Sequence, residues 1–338
     1  MEAHGGRLAV EVLRGHGVDV VFTLSGGHLF VLYDGAVQAG TKLVDVRHEQ
    51  SATFAAEGWA KVTRRLGCAA LTAGPGVTNG VSAMTAARMN GSPLVVLAGR
   101  APQARWGAGS LQELDHVPIV APVTKTAATA TSAASIVAEV DAACRAARTP
   151  HRGPTFVDIP LDAFGPAAVE MPAPGDPGAF RGPSPDPEAV ARIAGLVATS
   201  ERPVLLAGGD VYWAQAEEGL RAFAEAARVP VFVNGMGRGT IPADHELAFS
   251  RARSVALKES DLVLVAGTPL DFRLGFGRFG DARVVHLCDA ASEIAAHAPL
   301  AASTAGDLAA TFGALAEAGA PPRAHDSWIA KLREHEQA

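Results

Sequence analysis

Cysteine is scarce in this 338-residue chain. There are three, Cys68, Cys144 and Cys288, far apart in sequence. No C-x-x-C occurs, and no Cys/His pair has zinc-ligand spacing, so neither a disulfide framework nor a structural zinc site organises the fold. The thiols are expected to be reduced, in a cytoplasmic protein. The start, Met1-Glu2-Ala3-His4, has neither a basic segment nor an apolar core, so no signal peptide is expected. Long apolar runs are also lacking. Those present are strand-sized and broken by Gly, Pro or charge, so no membrane span is expected. Basic runs are absent as well: 29 Lys and Arg face 35 Asp and Glu, for a net charge of −6. Nucleic acid and anionic membranes are therefore not expected partners.

What is present is apolar material. Hydrophobic residues make up 48% and charged residues 19%, enough to build real cores. At about 100–200 residues per domain, the length predicts two domains. The first block alternates strands at Val18–Leu24, Lys42–Val46, Cys68–Thr72, Leu94–Ala98 and Thr155–Ile159 with helices that include Ala52–Val62 and Ser132–Ala147. Short Val/Leu/Ile runs separated by helices predict a parallel sheet covered on both faces. Gly165–Pro187 then holds seven prolines and four glycines, a composition that reads as a linker. A second block follows. It has helices at Pro187–Thr199 and Ala214–Arg228, strands at Pro203–Ala207, Val229–Val233, Asp261–Ala266 and Arg283–Cys288, and a last amphipathic helix at Asp326–Glu336. The fold class is α/β, two doubly wound parallel-sheet domains. The expected divisions are 1–165, a linker at 166–187, a central domain at 188–320 and a terminal helix at 321–338.

Three strand-end features in the first block carry potential chemistry. In Phe22-Thr23-Leu24-Ser25-Gly26-Gly27-His28, a strand runs into two glycines and then a helix; an ordinary turn would explain it. Arg47-His48-Glu49 closes the next strand before a helix, where a carboxylate serves as a helix cap. Thr72-Ala73-Gly74-Pro75-Gly76-Val77-Thr78-Asn79-Gly80 bares several backbone N–H groups between a strand and a helix. It matches neither G-x-G-x-x-G nor G-x-x-x-x-G-K-[ST], so a phosphate loop is weakly supported. No G-x-G-x-x-G follows the first strand, which disfavours a nicotinamide dehydrogenase. The histidines, His116 and His286 among them, show no ligand spacing, and core or surface roles are the default.

In order and spacing, the three features together resemble the pyrimidine-binding domain of thiamine-diphosphate enzymes. The match runs from Val20 to Ile159 and includes Val46-Arg47-His48-Glu49-Gln50, Phe54-Ala55-Ala56-Glu57-Gly58, Leu71–Asn79, Ser92–Gly99 and Gly153–Pro160. Phe232–Gly239 and Asp271–Gly277 resemble the central domain of the same family. Within it, the chain is most similar to large-subunit acetolactate synthases, with 2-hydroxyacyl-CoA lyase-like proteins nearly as close.

The resemblance implies a role for Glu49. Its carboxyl group, hydrogen-bonded to the pyrimidine ring of thiamine diphosphate, would promote the imino tautomer that deprotonates the thiazolium. Gly74, Pro75, Gly76 and Asn79 would line the pyrimidine pocket, so the loop would not hold phosphate. Ser25, Gly26, Gly27 and His28 would lie over the cofactor. Many relatives have a proline between these glycines; the Gly-Gly-His form is that of the lyase-like branch. Gln112 resembles the family's active-site glutamine and would contact the substrate or intermediate, against the alternative of a plain loop residue. In the central domain, relatives bind FAD, ADP or nothing, at strand ends. The candidates are Gly208, Gly209, Asn234, Gly235, Met236, Thr268, Arg273 and Asp289. Flavin there would carry out no net redox chemistry.

The implied reaction is carboligation of pyruvate with a second 2-keto acid, with 2-hydroxyacyl-CoA cleavage as the alternative. The implied assembly is a homodimer or larger. The family's third domain carries Gly-Asp-Gly and a later Asn, which hold the Mg2+ that holds the diphosphate. No Gly-Asp-Gly occurs here. The expectation is a chain with no metal ligands of its own, binding the pyrimidine end only. A truncated product, one half of an enzyme split with a separate polypeptide, and a non-catalytic nucleotide-binding remnant all stay open.

Overall fold

A computed structural model of the chain describes residues 1–175, 181–318 and 325–337. Residues 176–180 of the expected linker, and 319–324 where the central domain is expected to pass into its terminal helix, lie outside them. The chain forms two compact units, Met1–Phe180 and Arg181–Ala338.

In chain order, the first unit contains β1 (Glu2–His4), α1 (Gly5–Gly15), β2 (Val20–Thr23), α2 (Phe30–Ala39), β3 (Lys42–Asp45), α3 (Glu49–Thr63), β4 (Gly67–Leu71) and α4 (Pro75–Met89). It continues with β5 (Leu94–Arg100), α5 (Val117–Val120), β6 (Ala127–Thr129), α6 (Ala133–Arg148), β7 (Pro154–Pro160) and β8 (Pro166–Ala168). Six strands form a sheet in the order β3-β2-β4-β5-β7-β6, all pairs parallel. Every residue of β4, β5 and β7 is buried, as helices on both faces require. Leu8, Leu13, Ile136, Val140 and Cys144 pack in one core, and Ala52, Met84, Leu94 and Phe156 in another. The four-residue spacing of Ile136, Val140 and Cys144 thus marks the buried face of α6, whose start is closed by a Ser132–Ser135 capping box.

The segment read as a linker begins otherwise. Its Pro166–Ala168 pairs antiparallel with Glu2–His4, and Val169 and Met171 pack on the core. Small, weakly apolar residues gave this two-stranded sheet no periodic signal.

The second unit contains α7 (Pro187–Ala198), β9 (Pro203–Ala207), α8 (Gly209–Trp213), α9 (Glu217–Ala227), β10 (Val231–Val233) and β11 (Ala248–Phe249). It continues with α10 (Arg253–Glu259), β12 (Leu262–Ala266), β13 (Arg283–Cys288), β14 (Ala302–Ala305), α11 (Leu308–Glu317) and α12 (Asp326–Gln337). The sheet order is β11-β10-β9-β12-β13-β14, again all parallel. Of Ala214–Arg228, expected as a helix, Glu217–Ala227 is helical, and the short α8 before it was not expected. A turn separates α8 from α9, with Gln215 at φ +53° and Ala216 buried in the core. The terminal helix α12 is fastened to this unit. Trp328, Ile329 and Leu332 are buried, the Trp328 indole donates to the Pro203 carbonyl at 3.1 Å, and Glu336 accepts N–H bonds from Ser250, Arg251 and Ala252. No helix among the described residues is long and apolar enough to cross a membrane.

Candidate active site

In a doubly wound sheet, the loops that leave the carboxyl ends of the strands gather along one edge. In the first unit these are the loops after β2, β3, β4 and β5. They bring Gly26, His28, Glu49, Gly74, Gly76, Asn79 and Gln112 into a chain of mutual contacts.

Glu49 is the first residue of α3, and its helix is capped without it. The His48 ring accepts the Gln50 N–H at 3.1 Å. The Glu49 side chain, only 8% exposed, turns away and accepts a hydrogen bond from the Asn79 amide on Oε2 at 2.9 Å. Its Oε1 accepts no hydrogen bond and the residue makes no ion pair among the described residues. Asn79 comes from the second turn of α4, which packs closely on α3 where Gly80 meets Thr53: a Cβ on Gly80 would sit 3.2 Å from Thr53 Oγ1.

The turn before α4 needs its glycines. Gly74 has φ +59° and ψ −114°, a region closed to residues with a side chain. A Cβ there would lie 2.9 Å from the Gln112 carbonyl oxygen. A Cβ on Gly76 would lie 2.6 Å from Thr72 Cγ2 and 3.5 Å from Glu49 Oε1. Glycine at 76 therefore lets the Thr72 side chain pack against the turn, beside the unbonded carboxylate oxygen. Pro75 takes the first helical position, where its missing N–H costs nothing.

The Ser25–His28 turn lies against the same loop. A Cβ on Gly26 would meet Thr72 Oγ1 at 2.4 Å, and Gly99 leaves room for the His28 Cβ. His28 is buried, with Nδ1 at 3.3 Å from Thr72 Oγ1. Burial holds its pKa below the usual imidazole value, against the opposing effect of a hydrogen bond to the Leu111 backbone. Ser25 is exposed, and a Cβ on Gly27 would meet nothing within 4 Å. Gln112 is half-buried with φ +54°.

One group at this edge had no spacing signal. The Gly74 N–H donates to His116 Nε2 at 2.8 Å, and His116 Nδ1 lies 2.8 Å from Asp158 Oδ2. Arg100 Nη1 donates to the same Asp158 oxygen at 2.9 Å. A signal existed in another form. Asp158 interrupts the apolar run Phe156-Val157-Asp158-Ile159 of a central strand, and an acid inside such a run requires a buried partner.

In the second unit, the corresponding edge is closed by backbone. A Cβ on Gly208 would lie 2.3 Å from Thr268 Cβ, and one on Gly237 would lie 2.4 Å from the Ala207 carbonyl oxygen. Asn234 N–H donates to Ala207 O at 2.8 Å. Gly209 and Gly235 are more open: a Cβ on Gly209 would reach only Met236 Cβ at 3.6 Å, and one on Gly235 nothing within 4 Å. Gly208, Gly209, Asn234, Gly235, Met236 and Thr268 thus share one shelf. Arg273 turns back on its own loop in a paired contact with Asp271 at 2.7 Å. Asp289 is buried just beyond β13.

Residues 3–119 match the family described as thiamine pyrophosphate enzyme, N-terminal TPP binding domain, and residues 190–315 match thiamine pyrophosphate enzyme, central domain. The chain is 53% identical over 336 residues to the acetolactate synthase large subunit IlvG of Mycobacterium tuberculosis, covering 97% of this chain and 60% of that protein. It is 34% identical over 310 residues to 2-hydroxyacyl-CoA lyase 2 of Homo sapiens, covering 81% of this chain and 49% of the lyase. The corresponding lyase of Caenorhabditis elegans is 35% identical over the same length. The chain thus spans about half to three-fifths of the length of these relatives. Two domain matches and a relative at 53% identity over 97% of the chain agree, and the chain belongs to the thiamine pyrophosphate enzyme family, of which it carries the N-terminal and central domains.

Proposed function

We propose that the chain supplies the pyrimidine-binding, proton-relay part of an acetolactate synthase-like carboligase acting on pyruvate and a second 2-keto acid. Glu49 carries this reading. A buried carboxylate with one amide partner and no cation is costly, and this one is neither used by its own helix nor fully satisfied. The residues fit the pyrimidine end of thiamine diphosphate: Glu49 keeps one oxygen without a hydrogen bond beside the Gly74–Gly76 turn, while Asn79 holds the other.

When bound, thiamine diphosphate would supply the nucleophile and electron sink for chemistry at the keto carbon. Glu49 holds or moves the proton shared with the pyrimidine ring at Oε1, while Asn79 fixes Oε2 and so orients the group. His28 and the Gly26–Gly27 turn cover the loop. Gln112, whose backbone packs on the Gly74 turn, is assigned to contact with the substrate or intermediate. The shelf of Gly208, Gly209, Asn234, Gly235, Met236 and Thr268, with Arg273 and Asp289, is the site assigned to FAD or ADP. Mg2+ and the diphosphate are assigned to residues outside these 338, on the same or a separate polypeptide, in a homodimer or larger assembly of the cytoplasm.

The test is to combine the chain with the diphosphate-binding domain of the Mycobacterium tuberculosis relative and assay acetolactate formation from pyruvate. Glu49→Gln is expected to lower the rate by roughly 10²–10⁴-fold, the usual worth of a positioned acid–base group. Unchanged activity would remove Glu49 from the mechanism. The Gly26-Gly27-His28 turn and the 34% identity to the human lyase favour a second reading, cleavage of 2-hydroxyacyl-CoA. Faster acyl-CoA cleavage than acetolactate formation by the same preparation would establish it.

A further inference from the structure

We propose that His116 is a positioning residue that locks the Gly74 turn to the loop carrying Gln112. It does so from outside the pocket, through a buried relay that ends on Arg100.

The Gly74 N–H precedes α4 and has one partner, His116 Nε2 at 2.8 Å. A ring nitrogen that accepts must be bare, so the His116 proton sits on Nδ1 and donates to Asp158 Oδ2 at 2.8 Å. The network thus fixes a neutral imidazole in one tautomer. Arg100 donates to Asp158 at 2.9 Å and to Asp115 at 3.1 Å. Its guanidinium stacks on Trp106 at 4.0 Å. His116 and Asp158 are 0% exposed and Arg100 7%. The relay therefore grips the 101–116 segment at Trp106, at Asp115 and at His116 itself. Gln112 lies between these anchors and presses on Gly74, where a Cβ would be 2.9 Å from its carbonyl oxygen. Glu113 closes the loop on itself by accepting from Gly107 N–H at 2.9 Å and Ser110 N–H at 3.2 Å.

A stabilising core would not be built this way. Asp158 Oδ1 and Arg100 Nε are buried without a hydrogen-bond partner among the described residues. A partly satisfied buried network costs more than apolar packing of the same shape. What it provides is geometry. Two loops from different strand ends are held in one register, and Gly76 stays beside Glu49.

This inference rests on the reading above only in calling the surroundings of Glu49 a pocket. Its test uses no ligand, so its failure is separate from a failure to bind thiamine. Amide hydrogen exchange is measured on the 338-residue chain, resolving peptides over 73–79, 107–113 and the second unit. His116→Leu strands the Gly74 N–H. It should speed exchange at 73–79 and 107–113 together, by roughly tenfold or more, leaving the second unit unchanged. His116→Gln, whose amide oxygen reaches the place of Nε2, should restore slow exchange at 73–79; His116→Asn, which stops at the place of Nδ1, should not. Should His116→Leu fail to fold, Glu113→Gln loosens the loop from its other end and must still speed exchange at 73–79. Acceleration at 107–113 alone, a uniform rise across the first unit, or equal behaviour of the Gln and Asn variants would each overturn the proposal.

Discussion

The two units share one architecture, six parallel strands between helices, and use their strand-end edges differently. In the first unit, charged side chains are brought into the edge and left partly unsatisfied: Glu49 keeps one oxygen unbonded, and Asp158 and Arg100 each retain an unpartnered buried atom. In the second, Glu336 and Arg273 are committed to the fold, while Asp210 and Asp289 are buried at the edge. Glu336 accepts three backbone N–H groups before α10, and Arg273 is neutralised by Asp271. The shelf itself is built of glycines with the uncharged side chains of Asn234, Met236 and Thr268. The same sheet therefore carries two different strand-end edges: one with buried polar atoms left without a partner, and one dominated by close glycine contacts.

The contrast is sharpest at matched glycines. Gly74→Ala puts a Cβ against Gln112 at a backbone angle only glycine adopts, and should destabilise the first unit by about 1–3 kcal/mol. Gly209→Ala meets only Met236 at van der Waals distance, and should fall within about 0.5 kcal/mol of the parent. Urea unfolding of both variants checks this. Equal losses would mean that the two edges are equally tight, and the comparison would break.

A smaller effect is expected on acidification. Burial lowers the pKa of His16 and of His28 in the first unit, against hydrogen bonds to Asp141 and to the Leu111 backbone. Burial likewise lowers that of His286 in the second, against its bond to the Thr268 carbonyl. A folded-state value below the unfolded one means the unfolded chain takes up the proton first, so stability falls as pH drops below about 6.5. The first unit, with two such histidines, should soften more than the second. In the second, burial would raise Asp261 and Glu336, but the hydroxyl and N–H donors outweigh it and hold both low. Their contribution persists until pH falls below the ordinary carboxylate range. Hydrogen exchange at pH 7 and pH 5.5, read separately for each unit, checks the order; earlier softening of the second unit would reverse it.

Much of this was legible in the sequence. Pro203–Ala207 and Arg283–Cys288 form strands with the expected bounds because central parallel strands are continuous apolar runs. The short edge strands Ala127–Thr129, Ala248–Phe249 and Ala302–Ala305 were not legible. They are too brief and too rich in alanine to differ from loop. The turn at Gln215, which delays the start of α9, was hidden because neither Gly nor Pro marks it. Glu49 was singled out only by the resemblance, because strand end, acid and helix start alone read as a helix cap, whereas the His48 ring is the cap. The His116 relay could not be found by spacing, because its parts lie 42 and 58 residues apart and only the sheet brings them together.

The most direct measurement is a calorimetric titration of the 338-residue chain with thiamine diphosphate, with and without Mg2+, beside its Glu49→Gln variant. A pyrimidine pocket centred on Glu49, with the diphosphate anchored elsewhere, predicts weak, saturable binding that does not depend on Mg2+ and is lost in the variant. Tight binding that requires Mg2+, or binding that survives Glu49→Gln unchanged, would contradict it.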